Sequence, residues 1–347
     1  MKRDSKFEIL RIFSMFMIII FHFEYFGQQW RINSSHSFVN YLLLASYLSI
    51  GKLGVYLFVM ITGYFIGNRT ILIQKSLIKS FNIWIQTFYY SVIIFVLLCL
   101  MHFTAFSFHG LVKVCFPFLT DQYWFVDGYI ILLLLIPFIN LTLARISKSQ
   151  FLYLILIISF FASALAPIKS IIFSSELQFG YLIPPYLIGA FMKKYQHKVN
   201  YVKTKILSVY LLIIFCAAVC YQLGRTAYIN IFYFGILQLL MAYLIFSWFA
   251  NGRSFYNVTV NKFARTVFAS YLITDNILIK NILWNLPLFH DKSYTLLQIN
   301  LVGVVIVIGL LIICSIIDYV RIIIFNHIKM DSYAKTVIDN LGRSKHC

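Results

Sequence analysis

Acidic residues are scarce in this chain: eleven Asp and Glu stand against 29 Lys and Arg, and charged residues occupy only 12% of its 347 positions. A soluble domain is about 25% charged and about 45–50% apolar. Here 61% of the residues are hydrophobic and the mean hydropathy is +0.85. The excess apolar surface must therefore face lipid. Membrane topology explains the formal net charge of +18 better than nucleic-acid binding does.

Several familiar chemical motifs are also missing. The sequence has no Walker A loop, GxSxG elbow, HExxH helix or Rossmann glycine pattern. These absences argue against a nucleotide-driven pump and against a soluble hydrolase fused to the membrane part. The six cysteines have no metal-binding spacing such as CxxC, so we predict no metal site and no disulfide framework.

Long apolar runs dominate what remains. A transmembrane helix needs about 20 apolar residues, and the predicted spans lie near 7–27, 51–67, 81–103, 123–141, 150–166, 177–192, 206–223, 229–249, 266–286 and 295–324. Most of the basic residues fall in the loops that this topology places inside, as the positive-inside rule requires. The sequence therefore predicts an all-α integral membrane protein of about ten transmembrane helices with both termini cytoplasmic. A single membrane domain is expected over 1–325, followed by a short cytoplasmic tail over 326–347.

The first span contains four ionisable side chains, and such residues within membrane helices are functional candidates because they are costly there. They are Glu8, Arg11, His22 and Glu24. The eleven-residue spacing of Arg11 and His22 places both on one helix face, about 16 Å apart along the axis. Arg binds phosphate through a planar fork of donors, and His can act as general base or nucleophile. The alternative is that Arg11 anchors the helix orientation and His22 hydrogen-bonds a neighbouring helix.

Further candidates lie near the outer side of the predicted membrane. Asp127 follows Tyr123 and Trp124 at the start of the fourth span, and Asp275 and Lys280 lie in the ninth. Each charged residue could take part in the site or could pair structurally with another intramembrane charge. The two aromatic residues could form a sugar platform or could anchor the helix at the membrane interface.

Four segments resemble, in order, the motifs of the acyltransferase-3 family of membrane acyltransferases. Residues 10–22 match its first-helix Arg and His, which lie eleven residues apart, and residues 51–65 match its GVxLFxxISGY motif. Residues 123–140 match its WF…Y…PxxN helix, and residues 268–273 match its late YLIH segment. The resemblance extends from about residue 7 to about residue 320.

The resemblance implies a function. The subgroup most resembled is that of bacterial exopolysaccharide and capsule O-acetyltransferases. It implies transfer of an acyl group, usually acetyl from acetyl-CoA, to a sugar hydroxyl of a cell-surface polysaccharide or its lipid-linked precursor. The expected location is the bacterial plasma membrane, with the lipid bilayer, acetyl-CoA and a polysaccharide or lipid-linked oligosaccharide as partners. The resemblance makes His22 the catalytic histidine, acting as base or as acyl carrier.

On the donor side the chain departs from the family pattern. The family often has an RxxR pair after its second helix, where this chain has Ser76 and Lys79, with Lys75 beside them. Lys offers a point charge in place of a bidentate fork. The expected donor-binding residues are Arg11, Lys75 and Lys79.

On the acceptor side there are two more departures. Tyr56 stands where the motif commonly has Asp, and Thr274 stands where the late segment often has His. Asp275 is then the nearest polar candidate. The departures are compatible with altered specificity or with a degenerate copy. The expected acceptor-side residues are Glu24, Trp124, Asp127 and Asp275.

The alternative from another functional class is a non-catalytic exporter of polysaccharide or of its lipid-linked repeat unit. Transporters commonly carry Gly- or Pro-broken helices at corresponding positions in two repeated halves. The sequence has no such pattern, and its intramembrane charges concentrate on one helix. These features favour the acyltransferase.

Overall fold

The computed structural model describes residues 3–28, 31, 38, 41–42, 46–117, 120, 122–165, 167–168, 178–196, 199–290, 294–330 and 336. Within them the chain is helical and contains no strand. The predicted all-α class is therefore confirmed.

Fifteen α-helices lie within the described residues. They are α1 (Ser5–His22), α2 (Gly51–Ile66), α3 (Ile73–Leu100), α4 (Phe108–Cys115), α5 (Trp124–Arg145), α6 (Lys148–Ser159), α7 (Ile183–Tyr195), α8 (Val202–Gln222), α9 (Ile229–Phe234), α10 (Ile236–Asn251), α11 (Val258–Thr266), α12 (Phe268–Thr274), α13 (Lys280–Trp284), α14 (Pro287–His290) and α15 (Leu296–His327). Two π-helical turns, Phe23–Gly27 and Phe160–Leu165, extend α1 and α6. Short 3₁₀ turns, Leu48–Ile50, Gln178–Leu182 and Thr226–Tyr228, precede α2, α7 and α9.

Eight helical stretches among the described residues are long and apolar enough to cross a membrane. They are Ser5–Gly27, Leu48–Ile66, Ile73–Leu100, Trp124–Arg145, Lys148–Leu165, Val202–Gln222, Thr226–Asn251 and Leu297–His327. These stretches coincide with eight of the ten predicted spans. The remaining two predictions, 177–192 and 266–286, correspond to shorter helices.

The segment 177–192 contains a helix of only 13 residues, α7. Pro184 and Pro185 lie at its start, because a proline without an N–H is tolerated in the first turn and not in a helix interior. Helix α7 packs closely on α2. A Cβ added to Gly189 would lie 2.2 Å from the Met60 carbonyl oxygen, and one added to Gly63 would lie 2.0 Å from that of Tyr186. The glycines therefore permit this close contact, as small residues do between membrane helices.

The segment 266–286 is broken between α12 and α13. The side chain of Asn276 accepts a hydrogen bond of 2.9 Å from the N–H of Leu278. Such local side-chain bonds compete with the helical ladder. The break occurs directly after Thr274, so Asp275 lies in a turn and not on a continuous helix.

Exposed side chains on α15 form an apolar stripe. Leu301, Val305, Ile308, Ile312 and Ile316 are all exposed, by up to 69% of their surface. Their spacing of three and four residues places them on one face of the helix. In water such a stripe would be unfavourable, so it faces lipid.

Helix α1 occupies the centre of the bundle. It contacts α2, α10, α11, α12 and α15. Its apolar residues Leu10, Met15, Ile19 and Ile20 are fully buried. A helix that is apolar around most of its circumference is stable only when other helices or lipid cover it.

A buried ion pair within α15 is hydrogen-bonded to α3. Asp318 is fully buried and accepts hydrogen bonds from Arg321 Nε at 2.6 Å, Tyr90 Oη at 2.8 Å and Gln86 Nε2 at 3.2 Å. Buried charges are tolerated when paired and hydrogen-bonded in this way.

Replacing Asp318 alone should destabilise the protein. Asp318→Leu leaves the charge of Arg321 buried without its partner, and we expect a loss of about 3–5 kcal/mol, measured as a lower midpoint of thermal unfolding in detergent. The double variant Asp318→Leu/Arg321→Met should recover most of the loss, because an apolar pair replaces both charges. Equal destabilisation of the single and double variants would contradict this account.

Candidate functional site

Two cavities lie at opposite ends of α1. One, of about 310 Å³, is lined by His22 and is called the His22 cavity. The other, of about 720 Å³, is lined by Arg11 and is called the Arg11 cavity. Arg11 and His22 are eleven positions apart on the helix, which corresponds to about 16 Å along the axis. The predicted pair therefore lies on one helix but in two separate cavities.

The His22 cavity combines aromatic walls with a few polar groups. Its aromatic lining residues are Phe21, Tyr25, Phe26, Trp124, Tyr181, Phe234 and Tyr271. Its other polar or charged lining residues are Lys52, Gln122, Asn230, Asp275 and Lys280. Apolar walls with a small number of convergent polar groups are typical of small-molecule sites.

His22 and Asp275 face one another in this cavity. The imidazole is 6% exposed, and its Nε2 lies 3.9 Å from Oδ1 of Asp275. The other ring nitrogen, Nδ1, has no hydrogen-bond partner among the described residues. A carboxylate beside an imidazole orients the ring and stabilises its protonated form, as in an activated base.

The two acceptor-side departures are accommodated structurally. The hydroxyl of Thr274 donates to the carbonyl of Ser270 at 2.7 Å and is fully buried, so it does not replace a cavity histidine. The next residue, Asp275, lines the cavity instead. Tyr56 is also fully buried, and its hydroxyl donates to the carbonyl of Phe234 at 3.1 Å. It therefore ties α2 to α9.

Tyr123 holds the turn that contains Asp275. Its hydroxyl donates to the carbonyl of Leu272 at 2.8 Å and accepts from Nδ2 of Asn276 at 2.7 Å. These two bonds attach the end of α12 and the following turn to the start of α5. Tyr123 thus fixes the position of Asp275 from both sides.

Trp124 lines the His22 cavity. The Nζ atom of Lys52 lies 3.8 Å from the centre of its ring and 4.4 Å from that of Tyr181. Both distances fall within the range of cation–π interactions. Lys52 was not among the sequence candidates.

Two expected acceptor-side residues lie elsewhere. Glu24 is fully buried in the π-helical turn that follows His22, and it does not line the His22 cavity. Side chains two positions apart on a helix do not share a face, which explains why His22 and Glu24 point in different directions. Asp127 lines neither cavity. The structure therefore does not bring these two carboxylates to the predicted acceptor side.

The Arg11 cavity is strongly basic. Its charged lining residues are Arg3, Asp4, Lys6, Glu8, Arg11, Arg69, Lys79 and Lys193. The guanidinium of Arg11 pairs with the buried carboxylate of Glu8. Lys79 lines the cavity, whereas Lys75 is exposed and does not line it. Sequence reasoning missed Arg69 and Lys193 as site residues, since the positive-inside rule already accounted for them.

Like charges crowd one another at this end of α1. Burial lowers the pKa of Arg3 from its ordinary value, and the neighbouring charges of Arg265 and Arg11 act in the same direction, while Glu8 opposes them. A bound anion would relieve this repulsion between cations. The cavity therefore has the charge expected of a site for phosphate groups.

Asn140, the last residue of the matched PxxN pattern, shapes the rim of the Arg11 cavity. Its Nδ2 donates to the carbonyls of Ile66 at 2.7 Å and Arg69 at 2.8 Å. Its Oδ1 accepts from the hydroxyl of Tyr186 at 2.6 Å. Asn140 thus holds the end of α2 and the loop that carries Arg69.

An aromatic column connects the two cavities. Tyr129 lines the cavity at the Arg11 end, and Tyr271 lines the one at the His22 end. Between them, the ring centre of Phe58 lies 5.7 Å from those of Tyr129 and Phe125, and 6.2 Å from that of Phe268. Phe125 and Tyr271 are 5.7 Å apart. Contacts at these distances are typical of packed aromatic pairs.

These features define a class: a multi-pass helical membrane protein with a buried His–Asp pair in one cavity and a basic cavity at the other end of the same helix. The profile of the acyltransferase-3 family, described as an acyltransferase domain, matches residues 4–319. The chain therefore belongs to this family and is a membrane acyltransferase. No curated protein and no solved structure shows a significant match to the chain.

Removing the hydroxyl of Tyr123 should loosen the turn of Asp275. We expect Tyr123→Phe to lower the free energy of unfolding by about 1–3 kcal/mol, because a buried carbonyl and a buried amide lose their partner. The kcat of acyl transfer should fall while the KM of the acyl donor stays unchanged. Both are measured with purified protein in detergent.

Tyr90→Phe is the matched control for that variant. It removes another buried hydroxyl, the one bonded to Asp318, and Tyr90 does not line the His22 cavity. It should lower stability without lowering kcat. If Tyr123→Phe kept the full kcat, Tyr123 would not position Asp275.

Proposed function

We propose that this protein transfers an acyl group, acetyl in the first instance, from acetyl-CoA to a sugar hydroxyl of a cell-surface polysaccharide or its lipid-linked precursor. The proposed location is a bacterial plasma membrane. The observation that carries the proposal is the separation of Arg11 and His22 into two cavities at opposite ends of α1. Two cavities suit a reaction whose charged donor and sugar acceptor arrive from opposite sides.

The Arg11 cavity supports binding of the donor. Coenzyme A carries several phosphate groups, and guanidinium and ammonium groups bind phosphate through charge-assisted hydrogen bonds. Arg11, Arg69 and Lys79 line one cavity of about 720 Å³. In the proposed complex they hold the phosphates while the acyl end extends along the aromatic column.

The His22 cavity supports the chemical step. His22 takes the proton from the acceptor hydroxyl, and the hydroxyl oxygen attacks the thioester carbonyl. The C–S bond then breaks, and the protonated imidazole returns the proton to the departing thiolate of CoA. Asp275, 3.9 Å from the ring, stabilises the imidazolium formed in between. A two-step route, in which His22 first carries the acyl group, uses the same residues.

The structure also bears on the exporter alternative. A polysaccharide exporter needs a wide polar passage between the two sides of the membrane. Here three aromatic rings pack between the two cavities, those of Phe58, Phe125 and Phe268. Their ring centres lie within 6.5 Å of one another. This packing supports an enzyme with two separate substrate cavities.

The donor site can be tested with two neighbouring lysines. Lys79→Gln should raise the KM for acetyl-CoA about tenfold, which corresponds to about 1.4 kcal/mol, because Lys79 lines the Arg11 cavity. Lys75→Gln is the matched control, since Lys75 is exposed outside that cavity, and it should leave KM within about twofold. Equal effects of the two substitutions on the KM for acetyl-CoA would argue against binding of the donor in the Arg11 cavity.

The function itself is tested by the O-acetyl content of purified cell-surface polysaccharide. A deletion strain should keep its polymer but lose the esters, and wild-type protein should restore them. His22→Ala should not restore them at equal protein levels, because loss of a general base costs about 10²–10⁴-fold in rate. His109→Ala, which removes an exposed histidine on α4, should restore them fully.

Two outcomes would count against the proposal. Disappearance of the polymer itself in the deletion strain would favour the exporter. Full ester content with His22→Ala would show that His22 is not catalytic and only packs against its neighbours.

A further inference from the structure

A smaller cavity adjoins the His22 cavity. It has a volume of about 150 Å³, is lined by Tyr233 and is called the Tyr233 cavity. Four residues line both cavities, and they are Phe21, Tyr25, Asn230 and Phe234. Small-molecule sites are usually about 300–1,000 Å³ in volume, so the Tyr233 cavity is too small to be a typical site by itself. We therefore treat it as an extension of the His22 cavity across a shared wall.

The shared wall is accessible at two of its residues. Tyr25 is 42% exposed, and Asn230 is also exposed. Tyr25 lies in the π-helical turn that follows His22, and Asn230 lies in the first turn of α9. Both side chains are thus available to a ligand that extends from one cavity into the other.

The Tyr233 cavity has an aromatic interior. The rings of Tyr41 and Tyr221 stack with their centres 4.1 Å apart, and the hydroxyls of Tyr41 and Tyr233 share a hydrogen bond of 3.0 Å. All three residues line the cavity, and none of its described lining residues is charged. The face of an aromatic ring is electrostatically negative, so the slightly positive C–H groups of a sugar ring pack well against it. The lining therefore suits a neutral sugar unit.

A buried tyrosine holds the shared wall in place. Helix α9 contributes Asn230 and Phe234 to this wall and ends at Phe234. The hydroxyl of the fully buried Tyr56 donates to the carbonyl of Phe234 at 3.1 Å. An ionised Asp, which the family motif commonly has at this position, could only accept hydrogen bonds. The departure at Tyr56 thus fixes a wall that both cavities share.

We propose that the acceptor glycan occupies both cavities. One sugar unit presents its hydroxyl to His22, and the next unit of the same chain lies in the Tyr233 cavity, with the linkage beside Tyr25 and Asn230. The inference rests on the proposed function and narrows its substrate class to a chain of at least two sugar units. Binding of the second unit fixes the first one relative to His22, and contacts remote from the reacting atoms raise kcat/KM in this way.

The test compares acceptors of different length. De-O-acetylated cell-surface polysaccharide from the deletion strain is partially hydrolysed, and fragments of one, two and three sugar units are separated. The purified full chain in lipid nanodiscs is titrated with each fragment by calorimetry, and kcat/KM for acyl transfer from acetyl-CoA is measured in parallel. We expect the best disaccharide to exceed the best monosaccharide about tenfold in kcat/KM, or about 1.4 kcal/mol. A third unit should add less than about threefold, because the two cavities hold two units.

A variant that fills the Tyr233 cavity tests whether the second unit binds there. Thr226 is exposed and lines this cavity but not the His22 cavity. Thr226→Trp should reduce the tenfold advantage of the disaccharide to less than about twofold, because the indole takes the space of the second unit. Thr104→Trp is the matched control. It makes the same exchange in a different cavity and should keep the advantage.

A smaller substitution covers the case in which Thr226→Trp does not fold. Asn230→Ala removes an amide from the shared wall at an exposed position. It should reduce the advantage of the disaccharide about threefold, as expected for the loss of one hydrogen bond to the acceptor. The midpoint of thermal unfolding of each variant shows whether it is folded.

The outcomes separate this inference from the proposed function. Equal kcat/KM for one and two sugar units, or an advantage that persists in folded Thr226→Trp and in Asn230→Ala, would overturn the inference alone. Tighter binding of disaccharides that Thr226→Trp or Asn230→Ala weakens, with no acyl transfer to any fragment, would support the extended site and overturn the proposed function. Neither binding nor transfer at any length would overturn both.

Discussion

The cost of placing charged groups in a medium without bulk water governs this structure. Polar groups at membrane depth must find partners within the protein, and α1 alone contributes Glu8, Arg11 and His22. The bundle meets this requirement by surrounding α1 with five other helices. Arg11 pairs with Glu8, and His22 faces Asp275. The position of α1 at the centre, and of the two cavities at its ends, follows from this need for internal partners.

The same requirement explains why Asp275 lies in a turn. In a continuous helix over 266–286, the backbone hydrogen bonds of the helix would run through Asp275 and Asn276. Instead the side chain of Asn276 bonds locally to the N–H of Leu278, and its amide bonds to Tyr123. Backbone irregularity at membrane depth is tolerated where it lines a cavity and its polar groups are satisfied. The interruption thus places Asp275 beside His22.

Much of this architecture could be predicted from sequence because it depends on local pattern. Apolar run length predicted eight stretches that form long helices, and an eleven-residue spacing predicted that Arg11 and His22 lie at the two ends of one helix. Contacts between distant segments left no local signal. Arg69 looked like a topology signal, and nothing in the sequence indicated that Lys52 lines the same cavity as His22. The two-residue spacing of His22 and Glu24, by contrast, is a local signal that Glu24 points away from the cavity that His22 lines.

The aromatic column between the two cavities bears on the reaction cycle. Under the proposed function, the phosphates stay in the Arg11 cavity while the thioester must reach His22 past Phe58 and Phe125. Those rings pack against each other and against Tyr129, so they must move apart when the donor enters. Donor binding and access to His22 are then coupled through one aromatic column.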